Sequence, residues 1–340
     1  EISLGLVGSE MCIRDRERVR HSAYGYFDPS KEYYRSIIRW QETRNGVTGL
    51  KPEHIGYENG VLGGVVSALN VMCSKGDNVL LHSPTYIGFT RCIENNGYNI
   101  VHSPLVKDEN GIWRMDFADM EEKIVKNHIH AAVFCSPHNP CGRVWERWEI
   151  EKAMELYKKH DVFVVSDEIW SDLILEGHKH IPTQSVSEDA RNRTVAMYAP
   201  SKTFNLAGLQ ASTVVFPNAH MKQVFDQFWM NMDIHRNNAF SLTAMEAAFN
   251  HGEEWLEQLL EYISGNLDYI KEYFDTRIPL IRANIPDATY LVWLDCRKLD
   301  MTDQELKEFM IRKAGLGLNP GSDFTRALSG FMRLNAALSL

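Results

Sequence analysis

From about residue 57 to residue 217 the chain alternates short apolar runs with longer stretches of helical period. The runs 77–84 (DNVLLHSP), 98–105 (YNIVHSPL), 130–137 (HAAVFCSP), 161–168 (DVFVVSDE), 194–200 (TVAMYAP) and 211–217 (ASTVVFP) are rich in Val, Ile and Phe and close on turn or polar residues. Several are apolar at successive rather than alternate positions, the pattern of strands covered on both faces. Between them, residues 61–74, 87–96, 116–126 and 146–160 carry the spacing of helices that bury one side. This alternation predicts an α/β fold, a mostly parallel sheet sandwiched by helices. In such sheets ligands bind beyond the carboxyl ends of the strands, so the polar residues directly after each run are where chemistry is expected.

After about residue 232 the pattern changes to long helices, over 242–250, 253–274 and 302–313, with one clear strand at 289–295 (TYLVWLD). A smaller α+β C-terminal domain follows from this, giving a large domain with an N-terminal arm over 17–232 and a truncated small domain over 233–340. Residues 1–16, EISLGLVGSEMCIRDR, have neither amphipathic period nor the basic start and small-residue cleavage site of a signal peptide. The stretch LVGSEMCIRDR resembles a translated sequencing-adapter read, so this segment is expected to be an artefact. The closing ALSL (337–340) is expected to be of the same kind, and the natural protein to extend at both ends.

Composition narrows the function classes. With 45 acidic against 36 basic side chains the net charge is −9, and no Lys/Arg cluster provides a footprint for nucleic acid. No run of 18 apolar residues suggests a membrane span. A cytoplasmic enzyme with a small-molecule partner is the expectation. The cysteines, at 12, 73, 92, 135, 141 and 296, form no Cys-x-x-Cys pair and read as buried or free thiols in a reducing compartment. The pairs His128/His130 and His178/His180 lack a third ligand at a recognisable offset, so they read as surface or loop histidines and no metal is expected.

The segment SKTFNLAGLQ (201–210) follows the run TVAMYAP and sets Lys202 between Ser201 and Thr203. A lysine at a strand end can be desolvated, lose its proton and attack an aldehyde, although an isolated Ser-Lys-Thr is more often an ordinary surface lysine. Two further segments at strand ends change that balance: SPHNPCGRVW (136–145) and SDEIWSDL (166–173). In this order the three resemble the core motifs of the class I and II aminotransferases and their relatives, the fold type I enzymes dependent on pyridoxal 5′-phosphate (PLP). With NGVLGGVVSAL (59–69), SPTY (83–86) and FMRLN (331–335), the resemblance runs from about residue 18 to residue 335.

The resemblance implies that Lys202 carries PLP as a Schiff base and serves as the catalytic base. It implies that Asp167 pairs with the pyridine nitrogen, keeping it protonated so that the ring is an electron sink. Asn139 would donate to the phenolic oxygen, and Tyr86 would stack on the ring. Gly60, Val61 and Leu62 open a helix whose free N–H groups and dipole suit a phosphate, with Ser201 assisting. Arg333 would grip the substrate α-carboxylate. Tyr26, in AYGYFDP (23–29), would reach the partner's cofactor phosphate, implying a homodimer with shared active sites. Two departures are informative: Trp170 stands where the aminotransferases carry tyrosine, and Gln210 where they carry a phosphate-binding arginine. Together with the wording of these motifs they resemble the carbon–sulfur lyase branch, which includes bacterial cystathionine β-lyases. That branch implies β-elimination of cystathionine, or a related cysteine S-conjugate, to thiol, pyruvate and ammonia. The alternatives are amino transfer to a 2-oxo acid, and a regulatory binding role through protein contacts.

Overall fold

A computed structural model of the chain describes residues 16–21, 23–26, 28–233 and 238–337. Nearly all of both end segments discussed above, residues 1–15 and 338–340, lies outside the described residues, as do Cys12 and residue 27 of the segment 23–29.

The large sheet contains β1 (Ile55–Glu58), β2 (Asn78–Ser83), β3 (Asn99–Pro104), β4 (Ala131–Cys135), β5 (Phe163–Asp167), β6 (Thr194–Tyr198) and β7 (Ser212–Val215). Their order is β1-β7-β6-β5-β4-β2-β3. β7 runs antiparallel to both neighbours, and the other strands share one direction. Six of the chain's loops or turns therefore leave the sheet at one edge, and that edge carries the site.

Successive residues of a strand face opposite sides of the sheet, and here both sides are apolar. Val79, Leu81, Ala131 and Val133 join a core with Val65, Ala68 and Leu69 of α2 (Val61–Met72). Leu80, Ala132 and Phe134 join a second core with Met120 and Ile124 of α4 (Phe117–Lys126) and Ile150 and Met154 of α5 (Arg147–Lys159). Double coverage is why β4 and β6 are buried at every position and read as continuous apolar runs. Fully burying one such side chain contributes about 1.5–3 kcal/mol, so both faces are strongly committed. Element ends follow local chemistry. Asp116, expected as the first residue of α4, is its cap: the carboxylate accepts from the N–H groups of Ala118 and Asp119.

Further helices are α1 (Lys31–Asn45), α3 (Ile87–Asn95), α6 (Glu188–Arg193), α7 (Pro200–Thr203), α8 (Ala219–Met232), α9 (Ala239–His251), α10 (Glu253–Arg277) and α11 (Asp303–Arg312). α9 packs on α1 through Trp40 and Phe249, with Phe204 completing the aromatic cluster. A second, antiparallel sheet has β8 (Arg282–Asn284), β9 (Leu291–Asp295), β10 (Asn319–Pro320) and β11 (Phe331–Asn335) in the order β8-β9-β11-β10. Among the described residues no helix is long and apolar enough to cross a membrane.

The lead into β9 is fastened to the large domain. Gly142 O accepts from Asp287 N at 2.9 Å and Ala288 N at 3.1 Å, Leu173 O accepts from Thr289 N at 2.8 Å, and Leu175 N donates to Asp287 O at 3.1 Å. The Arg143 guanidinium adds ion pairs to Asp287 and to the buried Glu149. Gly142 is required there: its φ is +69°, and a Cβ would press on Pro286 and come 3.3 Å from the Ala288 carbonyl oxygen.

One histidine departs from expectation. His180 lies in a loop but is not a surface residue: it is only 5% exposed, and its Nε2 sits 2.8 Å from Oε2 of the buried Glu168. Glu168 also accepts from Ser166 Oγ and Thr183 N, so the burial of this acid is compensated by three polar contacts. The five described cysteines are free thiols, three of them buried.

Candidate active site

A cavity of about 400 Å³ opens at the carboxyl ends of the parallel strands, between the large sheet and β9 and β11. It collects Lys202, Asp167, Asn139, Tyr86, Trp170, Ser201, Gly60, Val61, Leu62 and Arg333, which the sequence distributes over more than 270 positions.

Asp167 is the last residue of β5 and is 5% exposed. Its Oδ1 accepts from Ile169 N at 3.0 Å, while Oδ2 bonds to no described residue and is left for a ligand. Burial pushes its pKa up to about 7, and the neighbouring Glu168 adds to this; the Ile169 hydrogen bond and the Lys202 charge pull the other way. Lys202 sits on the single turn α7 that follows β6. Burial lowers its pKa and the Arg333 charge lowers it further, against the attraction of Asp167. Its Nζ stands 5.6 Å from the centre of the Trp170 ring. It is the lysine of this cavity. A half-desolvated amine beside a carboxylate can alternate between free base and ammonium, which is what a nucleophile and proton carrier requires.

Asn139 leaves β4 in the turn that Pro140 and Gly142 complete. Its Oδ1 accepts from Arg333 Nη1 at 3.1 Å, a bond that leaves the Nδ2 donors uncommitted. Arg333 is in β11 opposite Trp293 of β9. Its Nη2 donates to Asn319 Oδ1 at 3.0 Å, and the guanidinium lies 4.6 Å from the Phe324 ring centre. Held from two sides, it presents a fixed cation where a carboxylate can dock.

Gly60 caps α2 with φ +86° and provides no side-chain cap, so the first N–H groups of the helix are open to an anion. Gly64 brings the helix against β6: a Cβ would come 3.0 Å from Met197 Sδ. The Ser201 hydroxyl, which bonds to no described residue, lies on the same cavity wall. Gln210, in the left-handed region at φ +51°, stands beside Gly60 with its Nε2 donating to Ala207 O at 3.0 Å. It brings an amide and no charge to this anion-binding corner. Tyr86 begins α3, with its ring edge-on to Phe89 at 5.6 Å. A side chain at Gly88 would collide with that ring and reach 3.0 Å from Leu62 Cδ1, so the glycine leaves Tyr86 its place.

One residue bears on the site in a way the motifs did not indicate. Tyr290, at the entry to β9, lines the cavity with its ring T-shaped to Trp170 at 4.9 Å. It belongs to a run legible only as a strand. Tyr26, conversely, is not in this cavity: it is 88% exposed and lines a separate groove of about 970 Å³ with Arg18, Glu246 and His251.

The donor set was tested against PLP. A carboxylate oxygen without a protein partner suits a protonated ring nitrogen. Asn139 Nδ2 suits a phenolic oxygen, an uncapped helix start with a hydroxyl suits a phosphate, and a lysine amine suits an aldehyde. The residues fit the cofactor.

Comparison with known proteins agrees. The sequence profile of the family "Aminotransferase class I and II" matches residues 14–339. Cystathionine beta-lyase PatB of Bacillus subtilis is 38% identical over 325 residues, 96% of this chain and 84% of that protein. The crystal structure of cystalysin from Treponema denticola, which contains a pyridoxal 5′-phosphate cofactor, superposes with a TM-score of 0.92 at 30% identity, covering 96% of this chain and 83% of that one. The PLP-bound C-S lyase from Staphylococcus hominis gives 0.89 at 29% identity, over 97% and 83% of the two chains.

Proposed function

Because the chain belongs to the class I and II aminotransferase family, we propose that it works as a PLP-dependent carbon–sulfur lyase, splitting L-cystathionine or a related cysteine S-conjugate by β-elimination. The observation that carries the reading is the pairing, in one cavity, of a desolvated Lys202 with a buried Asp167 whose outer oxygen is unused.

Bound in the cavity, PLP supplies an aldehyde carbon for an amine and a protonated ring that withdraws electrons from the substrate Cα. The chain does the rest. Asp167 would hold the proton on the ring nitrogen by its negative charge, and Asn139 would donate to the phenolic oxygen. The N–H groups at Gly60, Val61 and Leu62 and the Ser201 hydroxyl would hold the phosphate, with Tyr86 and Trp170 available to pack on the ring. Arg333 pairs with the substrate α-carboxylate and so orients the Cα–H bond. The Lys202 amine, as the free base, would take the Cα proton. The Cβ–S bond then breaks with its electron pair on sulfur, and the three-carbon fragment hydrolyses to pyruvate and ammonia.

Incubation of the PLP-loaded protein with L-cystathionine is expected to yield pyruvate, ammonia and homocysteine in equal amounts. Efficient amino transfer from the same substrate to a 2-oxo acid, with negligible pyruvate, would replace this reading by the transaminase one.

The working unit is a homodimer with shared sites. What supports this is that Tyr26 is remote from its own chain's Lys202 cavity yet highly exposed on the arm. Mixing inactive Lys202→Ala chains with inactive Tyr26→Phe chains is expected to restore activity, since one site of each hybrid is intact. No recovery after demonstrated subunit exchange rejects sharing.

A further inference from the structure

The cavity contains an aromatic corner whose Tyr290 half the cofactor does not account for. Trp170 comes from the large domain, three residues after Asp167, and Tyr290 from the small domain. Their rings meet at 4.9 Å and 73°, and both line the cavity that holds Lys202. The Tyr290 hydroxyl bonds to no described residue. The side chain is therefore supported along its ring and unused at its tip.

The backbone is strained to put it there. Thr289, a β-branched residue only 1% exposed, has φ +75°, a left-handed conformation with a cost on the order of 1–3 kcal/mol. It is held by Thr289 N donating to Leu173 O at 2.8 Å, and its Oγ1 accepts from Leu291 N at 3.1 Å. Leu173 is three residues beyond Trp170, so the bond that fixes Thr289 also fixes the two rings against each other. A strained turn enforced by the segment bearing Trp170 is a means of aiming Tyr290.

We propose that Trp170 and Tyr290 form the subsite for the thioether sulfur of the substrate, with Tyr290 the residue that selects sulfur at Cβ. This rests on the lyase reading above. A polarisable sulfur gains from aromatic contacts at about 5 Å, and two rings set edge to face offer it both a ring edge and a ring face. The Tyr290 hydroxyl gains its hydrogen-bond acceptor when the Cβ–S bond breaks and the electron pair is left on sulfur. The phenol keeps its proton, being a weaker acid than a thiol, and burial pushes its pKa up to about 12. The proton taken from Cα by Lys202 neutralises the sulfur, so Cα–H and Cβ–S are exchanged for a Cα–Cβ double bond and S–H.

The test compares L-cystathionine with β-chloro-L-alanine, which eliminates chloride and contains no sulfur, in the PLP-loaded full chain and its Tyr290→Phe and Tyr290→Leu variants. Tyr290→Phe is expected to lower kcat on cystathionine about 10-fold with little change in KM, the effect of one hydrogen bond to a charged atom. Tyr290→Leu is expected to lower kcat/KM on cystathionine about 10- to 100-fold, adding the lost ring contact. Both variants should keep the cofactor absorption band and process β-chloroalanine within about 3-fold of the parent. Equal losses on both substrates, or no loss on cystathionine, overturn the sulfur subsite alone. Pyruvate from neither substrate with the unaltered chain overturns the lyase reading, and this proposal with it.

Discussion

Replacing Lys202 by alanine is expected to lower cystathionine cleavage about 10⁴-fold or more and to remove the visible absorption of the covalently held cofactor. Both effects stem from one atom. Among the described residues lining the cavity the amine is the one lysine nitrogen, and it follows β6. Without it nothing in the cavity bonds the cofactor's aldehyde before substrate arrives, and nothing of suitable basicity removes the Cα proton. Cofactor affinity should weaken without vanishing, since the phosphate contacts at Gly60 to Leu62 and the Asp167 contact do not involve the lysine. Borohydride reduction followed by peptide mapping checks the assignment: a label on any other lysine rejects it.

Asp167→Asn is expected to retain cofactor and lose about 10²- to 10³-fold or more in kcat, because a neutral amide cannot hold the ring proton by charge. The same residue makes a second, independent result measurable without any substrate. In the cofactor-free chain burial raises the Asp167 pKa from 3.8 to about 7. A folded-state pKa above the unfolded one means that the folded chain holds the proton more tightly. The stability this brings is complete below about pH 4 and is lost as pH rises through 7, about 4 kcal/mol over the whole span. Denaturant unfolding of the cofactor-free protein should therefore show a decline between pH 4 and 7 that Asp167→Asn lacks, other titrations being common to both. Saturating PLP should reduce the decline, because a protonated ring favours the ionised carboxylate. Identical pH slopes for the parent and the variant would show that Asp167 is not held neutral by burial.

What the chain discloses before folding is uneven, and the reason is physical. Parallel strands buried on both faces leave continuous apolar runs, and their carboxyl ends place Asn139, Asp167 and Lys202 at one edge whatever the details of packing. Those residues were legible because the motifs that hold them, at those strand ends, resemble the family's. β11 was legible only as a motif, because Arg333 alternates with apolar neighbours over too few positions to declare a strand; its pairing with β9 is what orients the guanidinium. α1 and α8 bury residues at helical spacing, Tyr33, Ile37 and Trp40 in one and Met221, Phe225 and Trp229 in the other, so they were present in the pattern but outside the stretches assigned to elements. Tyr290 was not legible at all. Its position depends on the left-handed Thr289 and on the bond to Leu173, more than 110 positions earlier, and no local signal encodes either. His180 is the loop residue the sequence suggested, but its burial was not legible, because its partner Glu168 is buried by the fold and not by sequence neighbours.

The fastening of residues 287–289 to Gly142 and Leu173 also bears on how the protein is made. A ribosome delivers the large sheet first, and all seven of its strands are complete by residue 215. Long-range closures of this kind come late and slowly, since the loop must close before its bonds form. Until residues 287–289 are made, about 70 positions after β7, the carbonyls at Gly142 and Leu173 have no partner from that segment. PLP offered to the growing chain would meet Lys202 and Asp167 before Arg333 or Tyr290 exists. The reactive lysine is thus assembled ahead of the groups that choose its substrate, and cofactor capture during synthesis would shield it over that interval.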